Sequence, residues 1–205
     1  MNVQLQYDID MSAAFYMDDL PDFESRLQLN QYSISLQLIT VADSKLEINI
    51  AMERLKTFVN HELANTIFIN RDLEERALIL NNLGVNVTTL PDDPVDQIIG
   101  IMLFCKLNAV MEGRMRVTRL DIASVLGDNV WYQHTDEDVL GPFVKEGWWH
   151  QPTLQHETVS DIDTPNNVVK VERNGWIDYN LMWPDSAVEP TANTVVYADF
   201  SKNEN

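Results

Sequence analysis

The sequence has little cysteine, glycine or basic charge, and it has no long apolar run. Its single cysteine, Cys105, cannot form a disulfide within the chain and is typical of a reducing compartment. Only seven glycines occur in 205 residues, and no glycine-rich phosphate-binding motif is among them. The longest apolar stretch, Ile98 to Cys105, is far shorter than the roughly 20 residues that cross a bilayer. The sequence therefore argues against disulfide-bonded, phosphate-loop and membrane-spanning classes of protein.

Acidic residues dominate the charge. Thirty-two Asp and Glu residues against fourteen Lys and Arg residues give a net charge of −18 at pH 7. Binding to duplex nucleic acid or to anionic lipid depends on basic residues, so neither is expected. The first ten residues have neither the basic segment nor the apolar segment of a signal peptide. We therefore expect a cytoplasmic protein that binds neither duplex nucleic acid nor a membrane.

A layered core of sheet and helices is predicted between about residues 28 and 134. Stretches with apolar side chains at every second residue alternate there with stretches whose apolar side chains follow a helical period. The predicted strands are Tyr32–Leu38, Thr66–Ile69, Val85–Leu90, Met115–Ala123 and Val130–Gln133, and the predicted helices are Lys45–Leu63, Leu73–Leu83 and Val95–Met111. The short stretch at 66–69 also fits a connection between helices. The sequence thus predicts an α+β or α/β fold, with residues 1–134 as a mixed core domain.

Residues 135–205 have a different composition. Prolines interrupt this region repeatedly, and no stretch in it carries a long helical pattern. Two β-rich runs, Val168–Val171 and Thr194–Tyr197, stand among many aromatic residues. Chains that stay disordered are poor in such residues. We therefore predict an irregular, β-rich, aromatic-rich extension that packs either on the core or on a partner.

Four of the five tryptophans lie in this extension, namely Trp148, Trp149, Trp176 and Trp183. Neighbouring side chains on an extended chain point to opposite sides, so a one-sided core rarely buries both members of a Trp-Trp pair. Tryptophan is also enriched at the energetic centres of protein interfaces. One interpretation is that the four side chains attach an irregular segment to the core by aromatic packing. The other interpretation is that they contact a partner or a second copy of the chain.

Histidines and carboxylates come together in the sequence after residue 133. His134, Asp136, His150 and His156 combine ligand types that suit zinc, manganese or iron, and such a centre activates water for hydrolysis. No recognised ligand spacing such as H-x-H occurs among them, and the acids after His134 also fit a solvated turn. A metal-dependent hydrolase is therefore an alternative hypothesis. The sequence otherwise indicates no cofactor and no small-molecule substrate.

The absence of catalytic motifs, the acidity and the aromatic-rich second half favour a non-enzymatic protein that binds other proteins or copies of itself. A composition rich in Asn and poor in Gly and Lys suggests a viral protein. It would be a structural or accessory protein of a bacteriophage, located in the host cytoplasm or the virion. A third hypothesis is an acidic inhibitor that mimics nucleic acid in the site of a host enzyme. That inhibitor would need carboxylates spaced along one face as phosphates are.

Overall fold

The computed structural model describes residues 3–20, 26–136, 141–154 and 175–185. Over these residues the chain forms an α+β fold in which three α-helices pack on one mixed sheet of six strands. The strands are β1 (Gln4–Tyr16), β2 (Leu27–Thr40), β3 (Ile67–Asn70), β4 (Val87–Leu90), β5 (Met115–Ser124) and β6 (Tyr132–Thr135). The helices are α1 (Lys45–Thr57), α2 (Glu74–Asn82) and α3 (Asp96–Met111). None of the helices in this part of the chain has the length and apolar content needed to cross a bilayer.

The strands lie in the order β4-β3-β1-β2-β5-β6. The two long strands, β1 and β2, pair antiparallel along their whole shared length, from Gln4 opposite Ile39 to Tyr16 opposite Leu27. Strand β3 is parallel to β1 and β4 is parallel to β3, because α1 and α2 return the chain across the sheet between them. Strands β5 and β6 extend the other side of the sheet in antiparallel pairs. The sheet therefore has two short edge strands and two long central ones.

Helices α1 and α3 cover one face of the sheet, which we call the inner face. Alternate residues of β2 supply much of its core, and Tyr32, Ile34, Leu36 and Leu38 are all buried. Helix α3 is apolar on almost every side and packs against both the sheet and residues from the C-terminal part of the chain. Helix α2 lies on the opposite face, where its Ala77 belongs to a second apolar cluster with residues of β1, β3 and β4. Among the residues that the structure describes, no other helix covers that opposite, outer face.

The structure confirms the predicted fold class, and each strand and helix predicted between residues 28 and 134 is present within a few residues of its expected bounds. The stretch at 67–70 is a strand, so its interpretation as a connection between helices was wrong. Helix α1 ends at Thr57 and continues as a π-helical turn, Phe58–Leu63. Strand β1 was not expected. The two β-rich runs predicted after residue 160 lie outside the described residues.

Candidate functional site

The described segments of the C-terminal region pack on the helices that cover the inner face. They contain three short 3-10 turns, Gly141–Val144, Trp148–His150 and Gly175–Ile177. All four tryptophans singled out from the sequence are buried in the main core, with exposed fractions of 2% to 7% (Trp148, Trp149, Trp176 and Trp183). The turn at Trp148–His150 is what allows adjacent indoles to be buried together, because the chain is not extended there. In this conformation the four side chains attach both segments to the core, and their contact with a partner stays a prediction.

A buried lysine holds the first of these segments. Lys106 of α3 is fully buried, and its Nζ donates to the backbone oxygens of Trp148 (3.1 Å), Gln151 (2.8 Å) and Thr153 (2.8 Å). Burial lowers the pKa of this ammonium to about 7, and the charge of Glu62 opposes that shift. Three carbonyl acceptors match the three donors of a lysine ammonium. Lys106 therefore fixes a segment that has no strand or helix of its own.

A buried arginine holds the second segment. The Arg54 guanidinium of α1 lies 4.0 Å from the ring centre of Trp183 and 4.8 Å from that of Trp176. Its Nε donates to the backbone oxygen of Leu181 (2.8 Å), and one terminal nitrogen lies 2.6 Å from a carboxylate oxygen of Glu112. Stacking on indole rings and pairing with a carboxylate both suit the planar guanidinium. These contacts assign the tryptophans a structural role.

The described members of the predicted metal site, His134, Asp136 and His150, do not form a group that could hold a metal ion. His134 of β6 is buried under α3, Asp136 forms an ion pair with Arg116, and His150 is exposed at the end of its turn. His156 lies outside the described residues. Within residues 3–20, 26–136, 141–154 and 175–185, no three His, Cys, Asp or Glu side chains are close enough together to hold a metal ion. The geometry of the described members thus gives the hydrolase hypothesis no support.

The fifth tryptophan, Trp131, has the opposite environment to the other four. It is 56% exposed and immediately precedes β6. Val125, at the end of β5, donates its N–H to Gln31 of β2, and Leu29 lies two residues before Gln31 on the same outer face. Exposed apolar residues therefore occur at one end of the sheet, where β2 begins, β5 ends and β6 begins. We call this surface the end patch, and it consists of Leu29, Val125, Val130 and Trp131, each more than half exposed.

A cavity of about 250 Å³ opens on the inner-face side of the same sheet end. It lies between the end of β1, the start of β2, the first turn of α3 and the turn after β5. Val125 and Trp131 belong to the end patch, and the residues that follow them, Leu126 and Tyr132, line the cavity. The rim of this cavity therefore adjoins the end patch. Its walls are mainly apolar, and it is lined by Phe15, Met17, Asn30, Pro94, Val95, Asp96, Ser124, Leu126, Gly127 and Tyr132.

The polar groups of the cavity form a connected network. The Ser124 hydroxyl donates to the Asp96 carboxylate, with its oxygen 2.7 Å from the nearer carboxylate oxygen, and accepts from the Gly127 N–H (3.1 Å). Asn30 Oδ1 accepts from the Leu126 N–H (3.1 Å). Gly127 is required here because a Cβ at this position would lie 2.4 Å from Asp96 Oδ2. Asp96 is the first residue of α3, where the helix dipole favours a carboxylate.

Sequence reasoning missed both the end patch and the cavity, although a signal was present. The Gly127-Asp128-Asn129 turn places Trp131 at the start of a short edge strand, where a large apolar side chain has few neighbours. The alternation of polar and apolar residues over Gln4–Tyr16 also predicts the strand whose end forms one wall of the cavity. The Asp96–Ser124 pair carried no signal, because it is formed by tertiary contact alone.

No protein-family model and no curated protein sequence matches the chain. Similar solved structures include an uncharacterized protein from Wolinella succinogenes, with 12% identity, a TM-score of 0.48, and coverage of 67% of this chain and 99% of that one. They also include the 6-pyruvoyl tetrahydropterin synthase of Caenorhabditis elegans (13% identity, TM-score 0.42, coverage 67% and 97%) and that of Plasmodium vivax (11% identity, TM-score 0.42, coverage 65% and 97%). At these identities and scores, none of the similarities identifies an activity, a substrate or an assembly for this chain.

Proposed function

We propose that this chain is a non-enzymatic protein-binding protein that contacts its partner through the end patch. The observation that carries the proposal is the exposure of Trp131 and of three other apolar side chains at the same end of the sheet, in a molecule of net charge −18. Grouped apolar side chains on a charged surface mark interaction sites. Tryptophan is the residue type that most often dominates the binding energy of an interface.

The partner we propose is a different protein with an apolar recess bordered by basic residues. Two copies of a chain with this net charge repel each other, whereas a basic surface is attracted to it and steered toward it. The proposed role as a structural or accessory protein of a bacteriophage, in the host cytoplasm or the virion, rests on composition alone. The end patch supports binding to another protein and is neutral on the source of that protein.

The open outer face gives no specific support to mimicry of nucleic acid. Asp8 accepts from the Ser35 hydroxyl (2.6 Å), Asp10 accepts from the Ser33 hydroxyl (3.1 Å), and Asp121 pairs with Arg119. Hydrogen bonds from Ser35 and Gln6 also lower the pKa of Asp8. These carboxylates are engaged by their neighbours along and across the strands, which is a local role. We therefore keep protein binding through the end patch as the proposed function.

The experiment is site-specific photocrosslinking followed by a binding measurement. The photoreactive residue p-benzoylphenylalanine is placed at position 131, and in a matched protein at position 79, where Ile79 is a similarly exposed residue of α2. Irradiation in extracts of the natural host should give a discrete adduct from position 131 and none from position 79. The captured protein is then purified, and its affinity for the wild type and for Trp131→Ser is measured by calorimetry.

We expect Trp131→Ser to weaken that affinity at least tenfold, since truncating an interface hot spot costs about 2 kcal/mol or more. Ile79→Ser should leave the affinity within about twofold of the wild type, and both variants should keep the wild-type melting temperature to within a few degrees. Equal adducts from the two positions, or equal affinities of Trp131→Ser and wild type, would contradict the proposal.

A further inference from the structure

The cavity beside the end patch is lined by a carboxylate. Asp96 is the single charged residue among the described residues that line the cavity, and it is only 9% exposed. None of the ion pairs formed by the described residues involves Asp96. The cavity is therefore electrostatically complementary to a ligand with one positive charge.

The Asp96 carboxylate retains acceptor capacity toward the cavity. Its oxygens lie 2.9 and 2.7 Å from the Ser124 oxygen, but a serine hydroxyl carries one proton and satisfies one acceptor position at a time. An ionised carboxylate has about four lone-pair positions. The Gly127 N–H holds the Ser124 hydroxyl from the other side and so fixes the direction of this donor. A donor group of a ligand in the cavity can therefore form a hydrogen bond to the Asp96 carboxylate.

The remaining walls of the cavity determine what kind of uncharged group a ligand can carry. Phe15, Met17, Pro94, Leu126 and Tyr132 line the path from the rim to the carboxylate, and they offer hydrophobic and aromatic surface. A volume of about 250 Å³ lies below the roughly 300–1,000 Å³ of sites for drug-sized ligands. We propose that this cavity is a binding site for a primary ammonium group carried on a short apolar stem. The ammonium binds Asp96, and the stem packs on the apolar wall.

The test is an NMR titration of the wild-type protein with n-butylammonium chloride, at constant ionic strength set by sodium chloride. We expect saturable shifts of the Leu126 and Gly127 amide signals, whose N–H groups belong to the polar network of the cavity. The neutral ligand 1-butanol serves as the control and should bind at least about tenfold more weakly, because it can donate a hydrogen bond to the carboxylate but carries no positive charge to pair with it. Equal affinity for the two ligands, or shifts that do not saturate, would overturn the proposal without the use of any variant.

A pair of variants locates the charge. Asp96→Asn keeps an oxygen that can accept from Ser124 but removes the negative charge, whereas Asp128→Asn removes one charge from the exposed turn next to the cavity. We expect Asp96→Asn to weaken n-butylammonium binding at least about tenfold and Asp128→Asn to change it less than about twofold. Unchanged binding by a folded Asp96→Asn protein would overturn the assignment of Asp96.

The peptide acetyl-Gly-Lys-Gly-amide identifies the source of the ammonium. If it binds more tightly than n-butylammonium, the site takes a lysine side chain of a protein partner; if it binds more weakly, the site takes a free small amine. Either result requires that the ammonium bind. These titrations use no partner protein, so their outcome is independent of the crosslinking test at Trp131.

Discussion

The ammonium of Lys106 donates a hydrogen bond to the backbone oxygen of Trp148 and lies 5.5 Å from the ring centre of the same residue. One side chain of α3 thus fixes both the backbone and the indole of a segment that is far away in the sequence. Neither contact adds a strand or a helix. The segment is ordered because its carbonyl groups and its aromatic ring find a single buried cation.

Replacement of Lys106 by Met tests this arrangement. Methionine fills nearly the same space but leaves three carbonyl oxygens without their donor, so we expect the free energy of unfolding to fall by about 2 to 4 kcal/mol. Urea unfolding followed by tryptophan fluorescence measures the change. Lys56→Met is the control, because the partly exposed Lys56 pairs with Glu53 and lies over the ring of Tyr7 without a buried acceptor, and it should cost less than about 1 kcal/mol. Equal losses in the two variants would contradict the role of Lys106.

The same lysine predicts a dependence of stability on pH. Its pKa is about 7 in the folded chain and returns to about 10.4 on unfolding, so between these values the unfolded chain binds one more proton than the folded chain. Stability therefore rises with pH across this window. The advantage of wild type over Lys106→Met in free energy of unfolding should grow by roughly 2 to 3 kcal/mol from pH 7 to pH 9 and stay nearly constant from pH 5 to pH 6. Urea unfolding at each pH checks this, and an advantage that does not change above pH 7 would exclude it.

Arginine is specifically required at position 54. Arg54→Lys keeps the charge, but a lysine ammonium cannot stack on Trp183 while it also reaches Glu112 and the Leu181 carbonyl. We expect a loss of about 2 to 3 kcal/mol in the free energy of unfolding, together with a red shift of tryptophan emission in the folded protein. Arg76→Lys, at an exposed position of α2, should stay within about 0.5 kcal/mol of wild type. A result for Arg54→Lys as small as that of its control would argue against the stacked arrangement.

Gly100 of α3 leaves room for the buried His134. A Cβ at position 100 would lie 2.6 Å from His134 Nε2 and 2.8 Å from a methyl carbon of Ile122. Gly100→Ala should therefore destabilise the protein by about 1 to 3 kcal/mol, although alanine is the better helix former. In a background of His134→Ala the same substitution should cost less, because the imidazole is gone. Thermal unfolding of the four proteins of this cycle gives the coupling, and a coupling of zero would show that the two residues do not interfere.

The strands and helices of the core were predictable from the local sequence wherever one side of the element is buried and the other is exposed. In β2 the buried residues Tyr32, Ile34 and Leu36 alternate with Ser33 and Ser35, and that pattern is entirely local. Strand β1 carries the same alternation. It was missed because the acidic residues of the first 25 positions, such as Asp8 and Asp10, were considered for their charge and not for their spacing.

The sequence offered two interpretations of the tryptophans, core packing and partner contact, and it could not decide between them for a physical reason. The partner of Arg54 at Leu181 is 127 residues away, and it is a backbone oxygen, which every residue type possesses. The three acceptors of Lys106 are backbone oxygens as well. Contacts to backbone oxygens do not depend on which side chains the partner residues carry. The sequence therefore does not distinguish buried tryptophans from exposed ones.

The order of strands in the sheet also governs when the sheet can be completed during synthesis. Strand β2 pairs with β1 directly before it, but its other edge pairs with β5, where Met115 lies opposite Thr40 and Ser124 lies opposite Tyr32. The intervening chain, which includes α1, α2 and α3, leaves the ribosome before β5 does. Until β5 emerges, the edge of β2 that pairs with β5 has no partner for its backbone groups, and an unpaired strand edge is a surface to which other strands can add. Emergence of β5 closes that edge.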